Sequence, residues 1–349
     1  MDKIINVGLS AFGMSGKLFH APFFHAHPGF NLRSIVKRSE QSPESKYPAT
    51  IILSDFEQLI IDPTIDLIVI NTPIQLHFEH AKAAIIHGKN VLVEKPYTVT
   101  SAEARLLNQL AIENNVSLTV FQNRRFDRDY LAVKDILNNG QLGKIHEVEI
   151  RFDRFRPKAG GKLHKEADLP GSGALYDLGS HIIDQTLQLF GQPLSVYADL
   201  MIIREDVQSD DYFELILYYP DQLRVRLISN VMTKEIGPGY VIHGEHGSFI
   251  QKRSDEQESA LLSGVKPHHE PWVPELNEPD GLLHALEGEI FGKTNTFSAP
   301  GNYMLFFDEL YNYIAKNDVN PVTASDAIQT ISLIEKAFES NQRKILVNL

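Results

Sequence analysis

The first third of the chain alternates short apolar runs with amphipathic helical patterns. Strand-like runs fall at residues 4–9, 30–36, 67–71, 91–94 and 116–121, and helical patterns at 56–61, 75–87 and 101–114. The last helix has a clear start, since Thr100 precedes Glu103 as in a capping box. Strands that alternate with helices predict an α/β fold with a doubly wound parallel sheet.

The rest of the chain shows the two-residue period of half-buried strands. Over residues 145–155, Val148, Ile150 and Phe152 fall on one face, and charged residues fall on the other. Further strands at 196–203, 212–219, 223–230 and 240–243 predict a large, open, mostly antiparallel sheet. Helices are predicted at 129–139, 303–316 and 325–341, and the polar stretch 251–279 as a surface excursion. We therefore expect an α+β domain over residues 125–349 after a first domain over 1–124.

Bulk composition excludes several classes of protein. The chain has 349 residues and a net charge of −12, which argues against a nucleic-acid or anionic-membrane partner. It has no Cys, so disulfides and thiolate catalysis are excluded. No signal peptide or membrane-spanning stretch is evident, and a cytoplasmic location is expected. The histidines His20, His25, His27, His268 and His269 could suggest zinc, but surface histidines are the commoner case, and no metal is predicted.

A glycine-bearing turn follows the first strand. Aligned on the dinucleotide fingerprint G-x-G-x-x-G, it comprises Ala11, Phe12, Gly13, Met14, Ser15 and Gly16. Gly13 would let the backbone approach a diphosphate, and Gly16 would let the helix pack closely on the sheet. The diphosphate would lie at the positive end of the helix dipole. Ala11 replaces the first glycine, so a plain strand–helix loop remains an alternative at this point.

The end of the second strand bears on the choice of cofactor. Lys37, Arg38 and Ser39 stand where an NAD enzyme usually has an acidic residue. Cations and hydroxyls suit the 2′-phosphate of NADP, so NADP is the expected cofactor. Glu40 lies one residue beyond and could serve NAD instead. Ordinary solvated loop charges are the other interpretation.

Two further motifs carry candidate catalytic groups. The buried strand 91–94 ends in Glu94-Lys95-Pro96, which places Lys95 at the carboxyl edge of the sheet, where such folds bind ligands. A helix from about residue 174 would put Asp177, His181 and Asp184 on one face. A carboxylate and an imidazole one turn apart suit acid–base work near neutral pH. Asp184 is expected to have a structural role.

With these motifs in this order, the chain resembles the Gfo/Idh/MocA oxidoreductases along nearly its whole length. The likeness is closest to the NADP-dependent scyllo-inositol dehydrogenase type. It implies that Lys95 hydrogen-bonds the reacting hydroxyl or the nearby ribose, that His181 is the general acid/base, and that Asp177 binds a neighbouring substrate hydroxyl. A cis Lys95–Pro96 bond is common in the family. Cofactor contacts are expected from the glycine turn and from Lys37, Arg38, Ser39, Asn71, Thr72, Pro73, His77, Glu94, Lys95 and Gln122.

The implied reaction transfers a hydride between NADP(H) and a secondary alcohol or ketone of a polyol or sugar. The alternatives are a reductase of another carbonyl or imine compound and a regulatory protein that binds NADP without turnover. A homodimer or homotetramer through the open sheet is expected. Many relatives carry a Trp before the glycine-rich turn at 171–173, but the only Trp here is Trp272. Substrate contacts by Arg154, Arg156, His164 or Lys165 are therefore not assigned.

Overall fold

The computed structural model describes residues 3–37, 46–161, 163–288 and 290–349. Its contacts divide the chain into two compact units. The first contains residues up to Asn123 together with Glu256–Val273 and Asn302–Ile328. The second contains Arg124–Asp255, Pro274–Gly301 and Gln329–Leu349. The predicted continuous domain over 125–349 did not anticipate the two later segments that join the first unit.

The first unit is built on a six-stranded parallel sheet, and the Rossmann-type prediction is confirmed. Its strands are β1 (Ile5–Leu9), β2 (Phe30–Val36), β3 (Ile51–Leu53), β4 (Leu67–Ile70), β5 (Asn90–Glu94) and β6 (Leu118–Phe121). They lie in the order β3-β2-β1-β4-β5-β6. Strand β4 is buried at every position, as a strand covered by helices on both faces should be. The short β3, with its first residue exposed, was not predicted.

Helices connect these strands. They cover Ala21–Ala26, Phe56–Ile61, His77–Ile86 and Ser101–Glu113, with π-helical Gly16–His20 before the first and 3-10 turns at Ile74–Leu76 and Asn123–Phe126. The capping box is present, because Thr100 accepts from the Glu103 amide and the Glu103 carboxylate accepts from the Thr100 amide. This pair satisfies two amide groups that the helix itself leaves without partners.

The second unit holds a nine-stranded sheet. Its strands are β7 (Ile145–Arg151), β8 (Ser195–Met201), β9 (Tyr212–Tyr218), β10 (Arg224–Asn230), β11 (Tyr240–Gly244), β12 (Gly247–Gln251), β13 (Gly281–Glu287), β14 (Ile290–Thr296) and β15 (Val347–Asn348). The order is β14-β13-β12-β11-β7-β10-β9-β8-β15, and only the β7–β10 pair is parallel. The mostly antiparallel prediction is confirmed.

The two faces of this sheet differ as the alternation predicted. Val148, Ile150 and Phe152 are buried, whereas the opposite face carries a ladder of charges. Arg226 on β10 contacts Glu149 on β7 at 3.1 Å and Glu214 on β9 at 3.2 Å. The helices of this unit cover Arg128–Asn138, Leu163–Glu166 and Ser180–Phe190, the last preceded by π-helical Leu175–Gly179, and Ala324–Arg343 extends into it. No helix in the described ranges is long and apolar enough to cross a membrane.

The stretch predicted as a surface excursion is partly core. It contains the helix Gln257–Leu262, and Trp272 is buried in the first unit. Gln257 accepts a hydrogen bond from the Tyr303 amide, just before the helix Met304–Lys316. Phe307 of that helix stacks on Phe23 at 4.8 Å between ring centroids. The prediction was wrong because polarity alone does not show that a side chain has a buried partner.

Candidate active site

The glycine turn is held in place by Asn71, the first residue after β4. The Asn71 side-chain oxygen accepts from the Ala11 amide at 2.9 Å, and its NH₂ group donates to the Ala11 carbonyl at 2.9 Å. Ser10 completes the arrangement, because its hydroxyl accepts from the Asn71 amide at 3.0 Å. Asn71 thus fixes the backbone of the turn at the carboxyl edge of the sheet.

The two glycines of the turn have different surroundings. A Cβ at Gly16 would lie 2.8 Å from the Ala11 carbonyl oxygen and 2.9 Å from the Asn71 side-chain nitrogen, so packing within the fold requires glycine. A Cβ at Gly13 would have no described heavy atom within 4 Å. The fold therefore leaves open space above Gly13, at the start of the helical residues 14–26. This space suits the diphosphate of a dinucleotide.

The flanks of the turn are only partly described. Phe12 packs edge-on to Tyr47, with ring centroids 6.4 Å apart, and the Lys17 ammonium lies 5.7 Å from the Phe12 ring centroid. Met14 is 48% exposed, so its side chain is accessible to a ligand. Lys37 directly follows β2 and donates its amide to the Leu53 carbonyl. Arg38, Ser39 and Glu40 lie outside the described residues.

Glu94, the residue before Lys95, is buried and forms a short contact with a histidine. Its Oε1 lies 2.7 Å from Nε2 of His20, and its Oε2 accepts from the Lys95 amide at 3.1 Å. Burial would raise the pKa of Glu94, but the His20 hydrogen bond and the nearby charges of His20, Lys95 and His77 together lower it. An ionised Glu94 thus holds the backbone at Lys95, and the Lys95–Pro96 bond is cis, as the resemblance implied.

His77 connects two loops at the same sheet edge. Its Nε2 lies 2.8 Å from the Thr72 carbonyl and its Nδ1 lies 2.9 Å from the Pro96 carbonyl. Burial lowers the pKa of His77, although these carbonyls and the Glu94 charge oppose the shift. The ring is buried and contacts the backbone at both nitrogens, which shows a positioning contact to the Pro96 loop. Pro73 starts the following turn, and Gln122, just after β6, is buried.

In the second unit, Asp177 lies in the π-helical segment Leu175–Gly179, which continues as the helix Ser180–Phe190. We call the two together the Asp177 helix. His181 is one turn further along, buried, with its ring 6.3 Å from that of Phe152. The shared face predicted for Asp177, His181 and Asp184 stays a prediction. π-helical turns are often found at functional sites, and Gly16–His20 is another.

A buried carboxylate holds the start of the Asp177 helix. The side chain of Asp210 accepts from the Leu175 amide at 2.7 Å, and its backbone carbonyl accepts from the Ala174 amide at 2.7 Å. Burial raises the pKa of Asp210 to about 7. Gly173 has φ of +98°, and a Cβ there would overlap Asp210, so no other residue type fits this turn.

The remaining residues of the Asp177 helix have distinct partners. Asp184 is buried and receives two hydrogen bonds from Arg125, at 2.6 and 2.8 Å, which confirms its expected structural role. Asp177 has a neighbour that the sequence did not assign, since Lys165 Nζ lies 2.7 Å from Asp177 Oδ1. His164 is in the same short helix, and its side chain is outside the described set.

One group of possible metal ligands lies in the first unit. His27 and His269 each contact Oδ1 of Asp308, at 3.1 and 2.9 Å. The Gly29 amide donates to Nδ1 of His27, which leaves the proton on Nε2 facing Asp308. A metal ion would have to displace that proton, so the arrangement favours a His–Asp hydrogen bond. His20, another of the histidines considered for zinc, contacts Glu94.

Comparison with known proteins identifies the family. The model described as "Oxidoreductase family, NAD-binding Rossmann fold" matches residues 4–122. Its companion, "Oxidoreductase family, C-terminal alpha/beta domain", matches residues 134–349. Together they cover nearly the whole chain. The chain belongs to the Gfo/Idh/MocA oxidoreductase family. The resemblance inferred from the glycine turn, the Lys95 motif and the Asp177–His181 pair is confirmed.

Individual members of the Gfo/Idh/MocA family are similar over their full lengths. The oxidoreductase YdgJ of Escherichia coli, itself uncharacterised, is 40% identical over 99% of this chain and 98% of its own. The scyllo-inositol 2-dehydrogenase (NADP(+)) IolW of Bacillus subtilis is 36% identical over 99% and 96%. A solved oxidoreductase from Bacillus cereus has a TM-score of 0.89 at 30% identity, with 99% and 98% covered. This Gfo/Idh/MocA member is therefore an oxidoreductase with an NAD(P)-binding domain.

Proposed function

We propose that this enzyme interconverts a secondary alcohol and a ketone on a polyol or sugar, with NADP(H) as the hydride carrier. The observation that carries the proposal is that a chain of this oxidoreductase family has Lys95 at a strand end held by Glu94, and Asp177 and His181 one turn apart on one helix. The 36% identity to a relative named as an NADP-dependent scyllo-inositol dehydrogenase supports a cyclic polyol as substrate. The cofactor supplies the hydride chemistry when bound, and the chain supplies position and charge.

We propose that the cofactor lies against the glycine turn. The open space above Gly13 would receive the diphosphate, with Ala11, Phe12, Met14 and Gly16 around it. Lys37, at the end of β2, supports NADP over NAD because its cation can pair with a 2′-phosphate. The same edge of the cofactor site would be formed by Asn71, Thr72, Pro73 and His77. The nicotinamide would lie near Glu94, Lys95 and Gln122.

The acid–base roles follow from the chemistry of hydride removal from a carbinol carbon. A base must take the hydroxyl proton, and His181 is proposed for this because a neutral imidazole can accept it near pH 7. The Lys95 ammonium would stabilise developing negative charge on the same oxygen. Asp177, which accepts from Lys165, would also bind a neighbouring hydroxyl.

A coupled screen tests the proposal. NADPH absorbance is followed at fixed enzyme concentration, with NADP⁺ for cyclic polyols and aldoses and with NADPH for ketones and imines, and cofactor binding is measured separately. Turnover on polyols or sugars supports the proposal. Turnover only on other carbonyl or imine compounds would assign a different reductase, and NADPH binding with no turnover on any compound would assign a regulatory protein.

A further inference from the structure

Lys165 and Asp177 form a pair that the sequence motifs did not join. Lys165 Nζ lies 2.7 Å from Asp177 Oδ1. The Lys165 side chain is 36% exposed and that of Asp177 is 23% exposed, so a small molecule can reach both. A salt bridge at this exposure adds little to folding stability.

Backbone hydrogen bonds hold the Lys165 segment next to Asp177. The Gly173 amide donates to the Lys165 carbonyl at 3.0 Å, and the Asp177 amide donates to the Gly173 carbonyl at 3.0 Å. Ser209 donates its hydroxyl to the Lys165 carbonyl at 3.1 Å. Lys165 and Asp177 are therefore joined both through their side chains and through Gly173. This closed ring holds the Lys165 segment against the start of the Asp177 helix.

The chemistry of the pair restricts what it can bind. The Lys165 ammonium has three N–H donors, while Asp177 offers carboxylate oxygens that only accept. The two charges cancel, so the pair has no net attraction for an anionic group. Nζ and Oδ1 are separated by about the distance between adjacent hydroxyl oxygens on a six-membered ring. One hydroxyl can donate to Asp177 while the next accepts from Lys165.

We propose that Lys165 is a specificity-determining residue that, with Asp177, recognises two adjacent hydroxyls of an uncharged polyol. The proposal rests on the proposed function and adds the substrate feature that the pair recognises, which is a vicinal diol. Lys165 contacts the hydroxyl beside the one that Asp177 holds, and neither of these is the oxygen that loses its proton to His181.

The test uses Lys165→Met with Lys158→Met as the matched control. Lys158 is exposed and precedes the short helix Leu163–Glu166 that contains Lys165, and its carbonyl, which the substitution retains, accepts from Arg204. The full-length enzyme is assayed with NADP⁺ and either scyllo-inositol or cyclohexanol, and scyllo-inositol binding to the NADPH-bound enzyme is measured by calorimetry. Lys165→Arg serves as the conservative variant.

The expected result is a roughly ten- to hundredfold rise in KM and in the calorimetric Kd for scyllo-inositol in Lys165→Met, from loss of a charge-assisted hydrogen bond. In Lys165→Met, kcat for scyllo-inositol changes far less than KM, and the kinetics with cyclohexanol stay constant. Lys165→Arg restores part of the lost affinity, and Lys158→Met behaves as wild type. If wild type uses polyols and Lys165→Met keeps their KM, the role of Lys165 is wrong and the proposed function stands. If wild type neither binds nor oxidises any polyol, both are overturned.

Discussion

The contrast between Gly13 and Gly16 gives a prediction in which two identical substitutions both weaken NADPH binding, but only one lowers the free energy of unfolding. In Gly16→Ala, the new methyl would lie 2.8 Å from a backbone oxygen and 2.9 Å from the Asn71 side chain. The oxygen belongs to the main chain, and the Asn71 nitrogen is held in place by its hydrogen bond to the Ala11 carbonyl. We therefore expect a loss of about 1–3 kcal/mol in the free energy of unfolding, as for other overpacked sites. NADPH affinity should fall too, because Asn71 and Ala11 must move.

In Gly13→Ala, the methyl meets no described atom within 4 Å, and φ is not in the left-handed region. The free energy of unfolding should therefore stay within about 0.5 kcal/mol of wild type. The methyl would instead occupy the space proposed for the diphosphate, so NADPH should bind at least about tenfold more weakly, or about 1.4 kcal/mol.

Both effects can be measured on the same samples. Urea unfolding is followed by the fluorescence of Trp272, the only Trp, which packs against Phe23 in the first unit at 6.0 Å. NADPH affinity is measured by titration of the reduced-cofactor fluorescence. Gly13→Ala with wild-type NADPH affinity would refute the placement of the diphosphate. Gly16→Ala with wild-type stability would refute the packing argument.

Three further outcomes are expected. Glu94→Gln should lower the free energy of unfolding by about 1.5–3 kcal/mol at pH 7; because the pKa of Glu94 is lowered from 4.5, this difference should shrink as the pH falls below 4.5, and a constant difference would contradict it. Burial raises the pKa of Asp210 to about 7, so wild type loses stability as the pH rises from about 4 to 7 and Asp210→Asn does not. The variant should therefore gain up to roughly 4 kcal/mol in free energy of unfolding relative to wild type over this range. Urea unfolding at several pH values checks this, and the absence of a pH-dependent gain would contradict it. Wild type should bind NADPH more tightly than NADH, and Lys37→Met should reduce that preference; a preference for NADH would contradict it.

Local patterns were sufficient for much of the first unit. The strand at Phe30–Val36 and the helix at Phe56–Ile61 have the predicted bounds because their apolar residues are buried with the expected period. The short β3 and the strands β12 to β15 were missed. Glycine and polar residues interrupt their pattern, and long-range pairing in the sheet determines them instead.

The candidate site was predictable where a motif lies within one segment. The Lys95 motif and the Asp177–His181 spacing could be read directly, because each depends on one strand end or one helix face. The hydrogen-bond partners of these motifs could not be predicted from the sequence. His20 contacts Glu94 across 74 residues of sequence, and Asp210 holds the Asp177 helix from a separate loop. The only sequence signal for Lys165 was its position in the loop before Gly171.

The most direct test compares turnover and cofactor binding in Lys95→Met and His181→Ala. With NADP⁺ and a polyol that wild type uses, kcat should fall about 10²–10⁴-fold in each variant, as for loss of a proton-transfer group. The NADPH dissociation constant should stay close to that of wild type, since the proposed diphosphate contacts lie at the glycine turn. Near wild-type kcat in either variant, measured alongside unchanged NADPH binding, would contradict the proposed acid–base roles.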